Sequence, residues 1–305
     1  MAAYAAQFAN VSVPILLACL LGFLFQRYKE PDTRQLADIS LFILSPCLIV
    51  SALATSELDG AAFGHIAAFT LVQTAFCWAA SAAVGRLLRF DKRSRRAMDL
   101  TTIFANSNNY GLPLLLLAFG TDGFAIGVTN VVTHIVLVNT LGMYLATRSS
   151  FRPADALRKV AQTPLIYAAI VGIALFLLHI RLPPSVGQGL KLVGDAYPAV
   201  VLLLLGFQLG KTNWRNSWRK EIGVSFAMRI FVVPLLSWLT IRLIGLHGLE
   251  ASVLFVQSSM PAAINSLVLM EKYGGDTELV AANVAFTTLA SFLYLPLLIH
   301  WSNGF

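Results

Sequence analysis

Two stretches of this chain carry side chains able to do chemistry in an apolar setting. The first, Asn106-Ser107-Asn108-Asn109-Tyr110-Gly111-Leu112-Pro113, puts five consecutive hydrogen-bonding side chains inside a hydrophobic segment. The second, Ser258-Ser259-Met260-Pro261-Ala262-Ala263-Ile264-Asn265, repeats the combination of hydroxyls, an amide and a proline. Amides and hydroxyls are neutral donors, suited to holding an anion or a polar neutral molecule. Proline lacks an N–H and clashes with the preceding turn, so helix geometry is expected to fail near 109–113 and again at Pro261. Gly111 is expected to ease the opening and allow close backbone approach. A broken helix leaves unpaired N–H groups at the start of its second half, a partial positive charge that favours an anion. The alternative is a pair of kinked helices whose polar groups satisfy one another.

Further residues could join this chemistry. Arg229 lies about seven residues into an apolar run, where it could balance a carboxylate, pair with a carbonyl at a helix break, or snorkel to the interface. Asn130, Thr133 and His134 share a helix face. His134 could carry a coupling proton or simply bond within the core. Ser45 and Ser51 flank Pro46, either lining the same cavity or bonding back to their own helix. Asp38, Asp99, Asp122, Asp195, Glu221 and Glu250 fall at or near segment ends, which disfavours a cation site built on buried carboxylates. No nucleophile–base pair, His/Cys metal spacing or phosphate loop is present, so neither an enzyme, a metal nor a cofactor is expected.

Composition points to the segments that hold these residues. Of 305 residues 57% are hydrophobic and 12% charged, the latter about half the usual share of a soluble domain. Such a surplus of apolar surface fits a bilayer. Cys19, Cys47 and Cys77 sit in apolar runs and imply no disulfide framework. Apolar stretches long enough to span lie at 5–26, 35–54, 62–85, 97–119, 122–147, 163–180, 190–210, 222–245, 251–271 and 279–301. With the N-terminus outside, the gaps after the odd-numbered runs face the cytoplasm and hold eighteen Lys and Arg, against three (Arg181, Lys191, Arg242) on the other side. That asymmetry supports ten spans, external termini, cytoplasmic basic loops and a plasma (inner) membrane location. The net charge of +7 is thereby explained without nucleic acid.

The halves 1–152 and 153–305 overlay. Pro14 matches Pro164, Pro46 matches Pro198, Pro113 matches Pro261, Asp122 matches Asp276 and Asn130 matches Asn283, at offsets of 150, 152, 148, 154 and 153 residues. Five spans per copy is odd, so the second copy enters the membrane inverted, an arrangement common in secondary transporters. The alternative is an old duplication kept only for folding.

The runs Asn106-Ser107-Asn108-Asn109-Tyr110-Gly111-Leu112-Pro113-Leu114, Met260-Pro261-Ala262-Ala263-Ile264-Asn265-Ser266 and Tyr273-Gly274-Gly275-Asp276 resemble the span-4 and span-9 signatures of the auxin efflux carrier family. The short central loop is similar to that of prokaryotic members, which include malate and malonate permeases. The resemblance implies an all-α, ten-helix membrane fold related to the bile acid/sodium symporters and of the NhaA-like type. Spans 1, 2, 6 and 7 would form a scaffold, with spans 3–5 and 8–10 as a mobile unit. Asn109, Pro113, Pro261 and Asn265 would lie near a crossing of spans 4 and 9, and Ser51 would face the substrate.

The expected function is secondary transport of a small organic acid anion by an elevator-type motion. The binding set is Asn106, Ser107, Asn108, Asn109, Gly111, Pro113, Ser258, Ser259, Pro261, Asn265 and Ser51, with Arg229, His134 and Asn130 for coupling or charge balance. The alternatives are a sodium-coupled symporter of the same fold and a membrane sensor that does not transport. The expected partners are the organic anion and the lipid bilayer, with room for a homodimer.

Overall fold

A computed structural model describes residues 12–55, 60–147, 152–178, 180–211 and 219–305. Residues 5–11 of the first apolar run, Arg148 and Arg215 lie outside the described residues. The described chain is helical and holds no strand, only one isolated β-bridge. That outcome follows from the solvent: lipid offers no hydrogen bonds, so a spanning backbone must satisfy its own groups.

In chain order the helices are α1 (Val13–Lys29), α2 (Arg34–Ala54), α3 (Gly60–Leu87), α4 (Lys92–Ile103), α5 (Ser107–Thr147), α6 (Pro153–Ala161), α7 (Pro164–Leu177), α8 (Pro184–Gly194), α9 (Tyr197–Lys211), α10 (Lys220–Ile244), α11 (Gly248–Ser258), α12 (Ile264–Tyr273) and α13 (Thr277–Ser302). Local signals set the boundaries. The Asp91 carboxylate caps α4 by accepting from the Ser94 N–H at 2.8 Å. Pro153, Pro164 and Pro184 open α6, α7 and α8, where a missing N–H costs nothing. Gly245 and Gly274 end α10 and α12 in the left-handed region at φ 79° and 73°. Gly120, at φ 68° and ψ −160°, breaks α5 into two limbs, 107–119 and 121–147.

Six helices among the described residues are long and apolar enough to cross a membrane: α2, α3, α5, the α8–α9 pair, α10 and α13. A seventh is added if α6 and α7, bent by 62°, count as one. The remaining apolar runs fold as the shorter α1, α4, α11 and α12. Exposed Leu17, Leu20, Leu21 and Leu24 form a stripe at helical spacing on α1, the mark of a lipid-facing surface.

Two packed groups emerge. α1 lies against α9, and α2 against α7 and α8. At the first crossing, a Cβ added to Gly22 would fall 2.3 Å from the Leu203 carbonyl oxygen, and one on Gly206 2.1 Å from that of Cys19. Backbones this close admit only glycine. The second group is built from α3, α4, α10, α11, α12 and α13 around buried residues such as Ile103, Phe104, Ala262, Leu279 and Val284.

Candidate functional site

The two interrupted helices cross where they are not helical. α4 ends at Ile103 and Phe104 turns extended (φ −97°, ψ 118°); α11 ends at Ser258 and Ala263 is extended (φ −73°, ψ 136°). There Ala105 and Ala262 form an antiparallel bridge. The Asn106 N–H donates to the Pro261 carbonyl at 2.8 Å, and the Ala263 N–H to the Phe104 carbonyl at 2.9 Å. The Ala262 N–H donates to the Thr287 hydroxyl at 3.1 Å. Each break thus satisfies main-chain groups that lipid could not.

The first break corrects the expectation from sequence. Helix geometry fails at 104–106, not at 109–113. Residues Ser107–Gly111 form a π-turn that runs directly into the following helix, and Pro113 sits in that helix's first turns. A proline there removes one helical N–H, and the π-turn that precedes it widens the backbone where the ring would otherwise clash with the preceding turn. Gly111, the last residue of that π-turn, has right-handed helical dihedrals (φ −62°, ψ −52°), and a Cβ on it would meet nothing closer than 3.5 Å. The close approach expected of it is not needed.

The carbonyl ends of the breaks converge on Arg229. Its guanidinium, with no exposed surface, donates from Nε to the Met260 carbonyl at 2.7 Å, from Nη1 to that of Thr102 at 2.7 Å and from Nη2 to that of Ser258 at 2.8 Å. The Tyr294 hydroxyl donates to the Ser259 carbonyl at 2.8 Å. A cation at the negative ends of α4 and α11 is favoured by both helix dipoles. Of the roles open to Arg229 in the sequence, snorkelling is overturned: the side chain turns inward and binds carbonyls.

The opposite ends open onto a cavity of about 350 Å³. Asn106, Asn108, Asn109 and Asn265 line it, along with Ser40, Asn139, Tyr197 and Gln208. The Tyr110 and Gly111 N–H groups both return to the Asn106 carbonyl, at 3.3 and 3.0 Å, and the Ser266 N–H returns to that of Ala263 at 3.1 Å. Asn108, Asn109, Ile264 and Asn265, in the first turn of each second half-helix, are among the residues that line this space. Asn106 is 5% exposed and its Nδ2 has no partner. Tyr197 braces the wall, its hydroxyl donating to the Asn108 side-chain oxygen at 3.2 Å.

Other expected residues lie elsewhere. Ser107 is buried, with its hydroxyl 3.5 Å from His134 Nδ1. The Ser258 hydroxyl donates to that of Ser237 at 2.6 Å, and Ser259 donates to the Phe255 carbonyl at 2.7 Å. Pro261 takes part through its carbonyl. Asn130, 1% exposed, accepts from Thr70 at 2.7 Å and donates to Gln257 at 2.8 Å, while Gln257 donates to the Gly127 carbonyl at 3.0 Å. His134 borders a small void with Thr70, Gln73, Asn130 and Ser258. Ser51 lines a separate cavity of about 610 Å³ with Arg181 and Lys191, and its hydroxyl bonds back to the Leu48 carbonyl at 3.0 Å. Neither Pro113 nor Gly111 lines the asparagine cavity.

Sequence reasoning passed over Ser40, Asn139, Tyr197 and Gln208. Ser40 and Asn139 belong to π-turns, Ser40–Leu44 and Val138–Gly142, as do Asn108 and Asn109. The π-turn Met228–Val232 carries Arg229. Such turns widen a helix locally and gather at functional sites, but they leave no mark in residue periodicity. Gln208 did leave one, a lone amide within an apolar run.

The profile of the family described as membrane transport protein matches residues 9–154 and 154–299. An uncharacterized transporter of Methanocaldococcus jannaschii is 24% identical over 298 residues, covering 94% of this chain and 96% of the relative. The Escherichia coli K12 protein named "Uncharacterized transporter YfdV" is 20% identical over 307 residues, covering 95% and 96%. A Rhizobium meliloti protein named "Putative malonate transporter" is 24% identical over 306 residues, covering 94% and 93%. With apolar helices, an interrupted crossing and a match across almost its whole length, the chain belongs to the membrane transport protein family, the auxin efflux carriers, and is an integral membrane transporter.

Proposed function

We propose that the protein is a secondary carrier of small organic acid anions, which bind at the crossing of the interrupted helices. The observation that carries this reading is the asparagine cavity. Two half-helix starts and the amides of Asn106, Asn108, Asn109 and Asn265 border one space, while the carbonyl ends are taken up by Arg229. An unpartnered Asn106 Nδ2 and half-helix N-termini on one side, with three carbonyls bound by a guanidinium on the other, suit a carboxylate. The volume lies in the usual range of roughly 300–1,000 Å³ for small-molecule sites.

The architecture in this proposal is ten spans in two inverted copies, 1–152 and 153–305, with both termini external and the basic loops cytoplasmic. α1, α2 and α7–α9 form the scaffold; α3–α5 and α10–α13 form the unit that moves against it as an elevator. A matched pair of contacts supports the inverted repeat. Asn130 bonds Thr70 of α3, and its counterpart Asn283 donates to Ser225 of α10 at 2.7 Å. The bridge at Ala105 and Ala262 would lie on the pseudo-two-fold axis.

Labelled malonate is the first substrate to try, given the name of one relative. In proteoliposomes, Asn106→Ala and Asn265→Ala should each lower uptake at limiting substrate by about tenfold, as loss of one hydrogen bond to a charged group implies. Wild-type uptake by both variants, correctly inserted, would remove the site from this cavity.

A further inference from the structure

Charge bookkeeping at the crossing leaves one unit over. Two helix ends (α4, α11) and two helix starts (α5, α12) meet there, each contributing a partial charge of about half a unit, two negative and two positive. These cancel to first order. The Arg229 guanidinium remains, ionised at any working pH, and its three partners are neutral carbonyls. Among the described residues no carboxylate makes an ion pair with it. Asp99 of α4, the other buried charged side chain among the described residues, accepts a hydrogen bond from Ser81. An unpaired charge in the interior of a membrane protein is costly and calls for a counter-ion.

The geometry points to Arg229 as the fixed counter-charge of the transported anion, so that a bound monoanion neutralises the crossing and the empty carrier is the charged species. This inference rests on the organic-anion reading above. Arg229 is bonded to the ends of both α4 and α11, so it travels with the unit that carries the substrate. The loaded unit then crosses the bilayer with no net charge, and the returning empty unit carries one positive charge. No co-transported cation is required at the carbonyl ends, because the guanidinium already occupies them.

The test uses the full chain in liposomes, with potential set by a potassium gradient and valinomycin. A panel of labelled mono- and dicarboxylates is offered first. If none is taken up, the organic-anion reading falls, and this inference with it. With a transported monoanion, homo-exchange should be insensitive to an applied potential of about 100 mV, whereas net uptake should respond to it. Arg229→Gln should make exchange potential-sensitive and weaken affinity at least about tenfold. Arg229→Lys, keeping the charge but not the fork, should lose clearly less affinity than Arg229→Gln. With a dianion, wild-type exchange should already respond to potential, and Arg229→Gln should respond more steeply. Arg229→Gln with wild-type affinity and voltage behaviour overturns the inference alone, and so does equal loss in the Gln and Lys variants. Should the Gln variant fail to insert, Lys decides: wild-type voltage behaviour supports the counter-charge, altered behaviour overturns it.

Discussion

The main-chain N–H of Asn106 donates to the carbonyl of Pro261 across 2.8 Å, joining two interrupted helices that are 155 residues apart in the chain. With its companion bond from Ala263 to Phe104, it turns two breaks into one two-residue bridge. Each break supplies an acceptor that the other needs.

The bridge is held from one side by Thr287, whose hydroxyl accepts the Ala262 N–H. Thr287→Val keeps the shape and strands a buried donor, at a cost of about 1–3 kcal/mol. The melting temperature of the purified protein should drop by several degrees. An unchanged melting curve would mean that the N–H has another acceptor.

Pro113 lies beyond the break, in the first turns of a helix. With the preceding π-turn already making room for the ring, Pro113→Ala should leave the melting temperature within a few degrees, and uptake within about twofold, of wild type. A large loss in either would return the proline to the position of helix breaker that the sequence suggests.

Gly206 passes the α1 backbone so closely that a Cβ would fall 2.1 Å from the Cys19 carbonyl oxygen. Gly206→Val should force α1 and α9 apart and lower the yield of folded protein, by about 3 kcal/mol or more in stability. Gly187, with nothing within 4 Å of its added Cβ, is the control: Gly187→Ala should fold normally. Equal yields of the two variants would contradict the α1–α9 contact.

Tyr197 is buried and braces Asn108 through its hydroxyl. Tyr197→Phe retains the ring but frees the asparagine amide, so apparent affinity should weaken by about three- to tenfold while folding is preserved. Substrate titration of uptake in proteoliposomes separates the two effects. Unaltered affinity would place the bound anion away from Asn108.

Residue identities alone place this chain in a bilayer, locate its polar interruptions and show that two of them correspond, because hydropathy and proline are local properties. They also single out Asn106, Asn108, Asn109 and Asn265, since amides in an apolar run are conspicuous. The position of the first break at 104–106, the bonding of Arg229 to the carbonyl ends, and the opening of Ser51 onto a different cavity from the asparagines emerge from the packing of the helices. That packing also brings in Tyr197, Ser40 and Asn139. The reason is physical. A helix opens where another segment offers its backbone groups partners, 155 positions away for Asn106 and Pro261, and a charge settles where carbonyls from separate helices converge, 29 to 127 positions from Arg229.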